Sequence, residues 1–292
     1  MVLTPQNTTI GFIGTGVMGA SMAGHLLAAG YPLRVHTRTK SKAEKLLAAG
    51  AAWEDSVAAV AKAANVIITM VGFPNDVEQV YLGRDGIVAN AAPGAYLIDM
   101  TTSKPSLARQ IHEAAKARGL HALDAPVSGG DIGARNATLS IMVGGGAQAF
   151  EAVKPILEKM GKNIVLQGGA GAGQHTKMCN QVAIAGMMMG VCEAMAYAKK
   201  SGLDPQTVLK SISGGAAGSW ALTNLAPRII AGDFAPGFFV KHFIKDMGIA
   251  IEESRQMGLK PAGLELAKSL YDRLASQGGS DLGTHALYKL YD

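Results

Sequence analysis

Three groups of residues in this chain combine types and spacings that can do chemistry. Gly14, Gly16 and Gly19 form G-x-G-x-x-G, with Thr15, Val17 and Met18 between them. The motif follows the apolar run at 9–13 and precedes an amphipathic stretch. In a strand–turn–helix setting Gly14 permits the tight turn and Gly16 lets the backbone approach a pyrophosphate. Gly19 lets the helix pack on the sheet, and the helix N-terminus adds N–H donors and a positive dipole. Arg38 ends the next apolar run, where an NAD-selective site would place an acid to accept from the ribose 2′-OH. Val35-His36-Thr37-Arg38-Thr39-Lys40 contains no acid. A guanidinium fork, with donors and charge from Thr39 and Lys40, suits a 2′-phosphate instead. The expected cofactor is therefore NADP(H) in preference to NAD(H). Lys177 follows Gly171-Ala172-Gly173 in the first turn of a helix, where the dipole disfavours a cation. A carbonyl receiving hydride develops negative charge on oxygen and needs a proton donor. A partly desolvated lysine, its pKa lowered toward working pH, can be that donor. Asn180 and Gln181, three and four positions on, share the face of Lys177. Either amide can bond a substrate or orient the ammonium, and the pair can equally satisfy each other.

These groups need a scaffold. Up to about residue 165, short apolar runs alternate with helical patterns, the signature of a parallel sheet wrapped by helices. Strands are expected at 9–13, 32–36, 65–71, 96–99, 121–124, 140–143 and 163–166, and helices at 17–29, 40–49 and 106–118. Beyond the glycine-rich 168–173 the pattern is helical, punctuated by Gly202, Pro205, Gly214, Gly215, Pro236 and Pro261. A long helix over 174–200 should open this part. The expected fold is α/β: a Rossmann-type dinucleotide-binding domain at 1–168 followed by an all-α domain at 169–292. The site would lie in the cleft between the two domains.

Composition narrows the class. The 292 residues suit two packed domains, and 48% hydrophobic against 17% charged residues argues against disorder. The net charge of +5 is scattered rather than gathered into a stripe or arm, so nucleic acid is not an expected partner. A mild positive balance suits an anionic cofactor and a small anionic substrate. Cys179 and Cys192 lie too far apart along one helix to bridge, which points to a reducing, cytoplasmic compartment. No signal-peptide pattern opens the chain. The apolar stretch 182–198 falls short of a ~20-residue span and carries Glu193, so it reads as a buried helix rather than a membrane segment. The seven histidines and two cysteines show no ligand spacing, and no metal is expected.

Four segments in order, Gly14–Gly19, Asp124-Ala125-Pro126-Val127-Ser128-Gly129-Gly130, Gly171–Asn180 and Lys245-Asp246, resemble the β-hydroxyacid dehydrogenase family over essentially the whole chain. That family includes 3-hydroxyisobutyrate dehydrogenase, tartronate semialdehyde reductase and glyoxylate/succinic semialdehyde reductases. The resemblance implies hydride transfer between nicotinamide and a small β-hydroxy acid or its semialdehyde, with Lys177 as general acid/base. It implies that Ser128, Gly129 and Gly130 anchor the substrate carboxylate, a role their hydroxyl and exposed N–H groups suit. It also implies cofactor contacts from Phe73-Pro74, from Thr101-Thr102 near the nicotinamide ribose, and from Lys245. Family members often carry Asn at both 180 and 181; Gln181 departs from that and leaves open which amide contacts substrate.

Rival readings are weaker. An imine reductase shares the architecture but usually lacks the lysine, and a 6-phosphogluconate-type enzyme needs a larger helical domain. A non-catalytic dinucleotide sensor or scaffold would tend to lose Lys177. Trp220 suits either a cleft or a core. Met187 to Met189 suit packing at an interface, and apolar helical surface suggests a homodimer or homotetramer.

Overall fold

The computed structural model describes residues 3–291. The chain divides into two compact units, Met1–Lys177 and Met178–Asp292. Sequence texture changes at residue 168, nine positions earlier. The difference arises because the first turn of the helix Ala172–Lys200 is bonded to strands of the first unit, as detailed below.

The first unit is built on nine strands: β1 Ile10–Ile13, β2 Leu33–His36, β3 Ala52–Trp53, β4 Val66–Thr69, β5 Tyr96–Asp99, β6 His121–Asp124, β7 Val127–Ser128, β8 Leu139–Gly144 and β9 Gly161–Gly168. Their order is β3-β2-β1-β4-β5-β6-β8-β7, with β9 paired to β8. From β3 to β6 every pairing is parallel. Strand β8 runs antiparallel to β6 and β7, so the sheet is mixed rather than wholly parallel. The short link from β7 through the helix Gly130–Arg135 cannot carry a parallel crossover, which needs a dozen or more residues.

Burial on both faces follows the two-residue period of the strands. Ile10, Phe12, Val66, Ile68 and Ile98 face one core, while Ile13, Ile67 and Leu97 face another. The expected strand positions hold to within a few residues. The stretch 40–49 is a 3-10 turn, Lys40–Ala43, followed by only five α-helical residues, Glu44–Ala48. Helices Val57–Ala63, Pro74–Leu82 and Ala147–Leu157 were not foreseen. The last carries Pro155 inside it, which masks the helical pattern.

Among its described residues the second unit is helical, with one isolated bridge between Phe239 and Gly283. Its core gathers Met188, Cys192 and Met195 with Phe243, Met247 and Tyr271. The helix Ala172–Lys200 has 29 residues and is long and apolar enough to cross a membrane by length and composition, so the expected shortfall does not hold. Nor is it wholly buried. Cys179, Val182, Ala183, Gly186, Met187 and Gly190 form an exposed stripe along it. Trp220 is exposed and therefore not a core residue.

Substituting Ile68→Ala, at a fully buried position, is expected to cost ~2–5 kcal/mol of unfolding free energy in urea titrations. Leu266→Ala, on the exposed face of the helix Ala262–Ser276, should change stability by under ~0.5 kcal/mol.

Candidate active site

The register of the parallel strands determines where chemistry can assemble. Ile13 pairs with His36 and Thr69, Thr69 with Asp99, and Asp99 with Asp124. The five carboxyl-terminal residues therefore form one row, and the segments after them leave the same edge of the sheet. Gly14–Gly19 follows β1, Arg38-Thr39 follows β2, and Phe73-Pro74 follows β4. Thr101-Thr102 follows β5, and Ser128 ends β7 just beyond β6, with Gly129 and Gly130 opening the helix Gly130–Arg135 after it. In open α/β sheets this edge is where ligands bind.

The glycine loop fits a dinucleotide on observations from this chain. Gly14 has φ +97° and a Cβ there would strike the Met70 carbonyl oxygen, while a Cβ on Gly19 would strike that of Gly14. Both are thus required by packing. Gly16 faces open space, so its backbone is approachable. The Thr15 hydroxyl is buried without a hydrogen-bond partner, an orphaned donor in the loop that would meet phosphate oxygens. Val17 and Phe73 expose large apolar side chains at the same edge, and Pro74 is the first residue of its helix. Arg38 is exposed and pairs with Asp76. Thr39 precedes the 3-10 turn, and the Lys40 ammonium lies 5.1 Å from the Trp53 ring centre.

For two buried acids that end β5 and β6 the sequence suggested no role, although Asp124 opens one of the four segments named above. Asp99 Oδ1 accepts from the Thr69 hydroxyl at 2.8 Å and from the Thr101 N–H at 3.0 Å. Thr101 Oγ1 in turn accepts from the Val71 N–H, tying the segments after β4 and β5 together. Burial pushes the Asp99 carboxyl up to about 6, against the lowering effect of its hydrogen bonds. Asp124 receives the Gly171 N–H on one oxygen and the Gln174 N–H on the other, both at 2.8 Å. It therefore caps the helix Ala172–Lys200. Burial raises its pKa too, opposed by those backbone donors. Residue 173 must be glycine, since a Cβ would strike the Met142 carbonyl oxygen and Asp124. Gln174 is fully buried; its Oε1 accepts from the Ser103 N–H at 2.9 Å and its Nε2 donates to the Thr101 carbonyl at 2.7 Å. One side chain thus locks the segment after β5 to the turn that carries Lys177. Lys177 is itself only 6% exposed. A sequence signal existed: Asp ends an apolar run twice, in Leu-Ile-Asp and Ala-Leu-Asp.

The remaining candidates are in the second unit. Asn180 donates to Gln181 Oε1 at 2.7 Å, and Gln181 Nε2 donates to Asp246 Oδ2 at 2.6 Å. Gln181 is buried and uses both ends of its amide in this chain of bonds, whereas Asn180 is half-exposed. The Lys245 ammonium lies 3.0 Å from Asp246 Oδ1, an ion pair without the alignment of a hydrogen bond. His175 takes the Arg109 guanidinium at 3.3 Å. Among the described residues no cluster of three or more His, Cys, Asp or Glu could hold a metal ion.

A glycine loop with these packing constraints, on the carboxyl edge of the parallel strands and followed by a helical unit, is the arrangement of a dinucleotide-binding protein. Residues 9–169 match the model of the NAD-binding domain of 6-phosphogluconate dehydrogenase. Residues 171–291 match the family model described as NAD-binding of NADP-dependent 3-hydroxyisobutyrate dehydrogenase. The chain is 66% identical over 283 residues to the uncharacterized oxidoreductase YkwC of Bacillus subtilis, covering 97% of this chain and 98% of that one. It is 40% identical to the NAD-dependent L-serine dehydrogenase of Pseudomonas aeruginosa, with 97% of each chain covered. Among solved structures it resembles Mycobacterium tuberculosis 3-hydroxyisobutyrate dehydrogenase with L-serine, at TM-score 0.89 and 33% identity over 97% of this chain and 98% of that one. The chain belongs to the β-hydroxyacid dehydrogenase family and has the family's NAD(P)-dependent hydroxyacid dehydrogenase character.

Two outcomes follow from the buried network. An unfolded aspartate ionises near 3.8 and folded Asp99 near about 6, so the folded state retains the proton across that window. Its contribution is fully present below the unfolded value and is lost as pH rises through about 6. Asp99→Asn should remove this titration, so its stability relative to the parent rises by up to ~3 kcal/mol between pH 4 and 7 in urea unfolding. Gln174→Leu should leave two buried backbone groups unpaired and lower the thermal midpoint by several degrees, as differential scanning calorimetry would record.

Proposed function

We propose that this enzyme prefers NADP(H) and interconverts a small β-hydroxy acid and its semialdehyde, with Lys177 as the general acid/base. The observation that carries the reading is Lys177 itself. It is a buried lysine on a helix whose start is clamped by Asp124 and tied through Gln174 to the exit of β5. A buried lysine held on so constrained a backbone is a candidate for proton transfer. The bound nicotinamide supplies the hydride in reduction and accepts it in oxidation. Lys177 gives its proton to the substrate oxygen as negative charge develops there, and takes one from the hydroxyl in the reverse direction.

Ser128, Gly129 and Gly130 hold the substrate carboxylate. Gly129 and Gly130 have φ +128° and +62°, conformations open to glycine, and the serine adds a hydroxyl donor. Asn180 is the amide we assign to the substrate, since Gln181 is engaged with Asp246. Thr15, Gly16 and the start of the helix Val17–Ala28 receive the pyrophosphate, with Val17, Met18, Phe73 and Pro74 lining the cofactor. Thr102 serves the nicotinamide ribose, and Lys245 acts from the second unit. Arg38 and Thr39 take the 2′-phosphate, the basis of the NADP(H) preference; NAD(H) remains usable, in keeping with the NAD-dependent relative. L-serine, named for two of the relatives, is itself a β-hydroxy acid and supports that substrate class. Two unbridged cysteines fit a cytoplasmic setting, and the exposed apolar stripe on the helix Ala172–Lys200 fits a homodimer or homotetramer.

The test is NADPH oxidation by the purified protein against a panel of small semialdehydes and glyoxylate, together with oxidation of L-serine and 3-hydroxyisobutyrate. Lys177→Ala should lower kcat by ~10²–10⁴ with NADPH binding retained. A mutant that keeps its activity would remove Lys177 from the acid/base role.

A further inference from the structure

Arg38 Nη1 lies 3.2 Å from Asp76 Oδ1, linking the residue after β2 to the helix after β4. The partners differ in freedom. Asp76 is the third residue of the helix Pro74–Leu82, where the dipole favours an acid, and its Oδ2 accepts from the Phe73 N–H at 3.1 Å. A Cβ on residue 72 would stand 3.2 Å from that same oxygen, so Gly72 keeps the space open. The Asp76 side chain is 22% exposed and held; that of Arg38 is 83% exposed and can swing on its stem.

We propose that Asp76 is a specificity-determining residue of the 2′ subsite, a fixed carboxylate that competes with a 2′-phosphate for Arg38 and offers an acceptor to a 2′-hydroxyl. The inference rests on the reading of Arg38 as the 2′-phosphate group. The acid absent from the end of β2 is then supplied from a different strand exit. A 2′-phosphate carries nearly two negative charges near neutral pH, so on docking to the guanidinium it must share that fork with a carboxylate already there. A neutral 2′-hydroxyl meets no such repulsion and can donate to the carboxylate. The pair therefore makes a subsite that admits both dinucleotides and holds NADP(H) selectivity below what Arg38 alone would give.

The experiment is calorimetric titration of the full-length protein with NADP⁺ and with NAD⁺, for the parent, Arg38→Ala, Asp76→Asn, Asp76→Ser and Asp76→Glu. Asn and Ser keep an acceptor for the Phe73 N–H and remove the charge. If either fails to fold, the other carries the test. The NADP⁺/NAD⁺ affinity ratio should rise about three- to fivefold in the neutral variants, the range for an exposed charge pair. It should stay near the parent value in Asp76→Glu, and the gain should shrink at high salt. Arg38→Ala should lower the ratio. An unchanged or reduced ratio in the neutral variants, with Arg38→Ala still reducing it, overturns the role of Asp76 and leaves the reading of Arg38 intact. An unchanged ratio in Arg38→Ala overturns that reading and this inference with it.

Discussion

A single carboxylate, Asp124, joins the sheet to the helix that carries Lys177. Both of its oxygens are occupied by N–H groups at the start of the helix Ala172–Lys200, and the helix dipole meets a buried negative charge there. The helix is thereby anchored at the end of β6, within the row formed by Ile13, His36, Thr69, Asp99 and Asp124. Lys177 lies one turn beyond the capped N–H of Gln174, so its backbone position follows from that anchor. Glycine at 173 is the steric condition that permits so close an approach.

Burying two acids side by side in the sheet has an electrostatic cost, and the surroundings are arranged to meet it. Asp99 is supplied with the Thr69 hydroxyl and the Thr101 N–H; Asp124 is supplied with backbone donors. The same bonds orient the segments that leave β4 and β5. Gln174 completes the arrangement by bonding backbone groups on either side of Thr102. The polar network thus holds in one geometry the loops that an apolar core alone would leave free to shift.

The second unit uses a different device. Asn180, Gln181, Asp246 and Lys245 form a continuous chain of polar contacts, in which each buried group except Asp246 Oδ1 is hydrogen-bonded. Lys245-Asp246 could be picked out from the sequence as a motif, but the use of Gln181 as the link to Asp246 could not. Residues 65 positions apart become partners only when two helices pack. In that contact the Gln181 amide meets the Asp246 carboxylate at 2.6 Å.

The sequence alone determined what depends on local order. The glycine spacing after an apolar run and the alternation of strand and helix obey short-range rules of backbone sterics and periodicity, so the α/β plan and the cofactor loop were legible. Lys177, expected in a helical first turn, is instead the sixth residue of the helix Ala172–Lys200 and lies in its second turn. Tertiary structure decided what depends on register and burial. Only pairing of the strands brings Asp99 and Asp124 into one row, turns β8 antiparallel, sets Asp76 against Arg38, and makes Gln174 a brace. These relations join residues tens of positions apart, and no local pattern encodes a distance across a sheet.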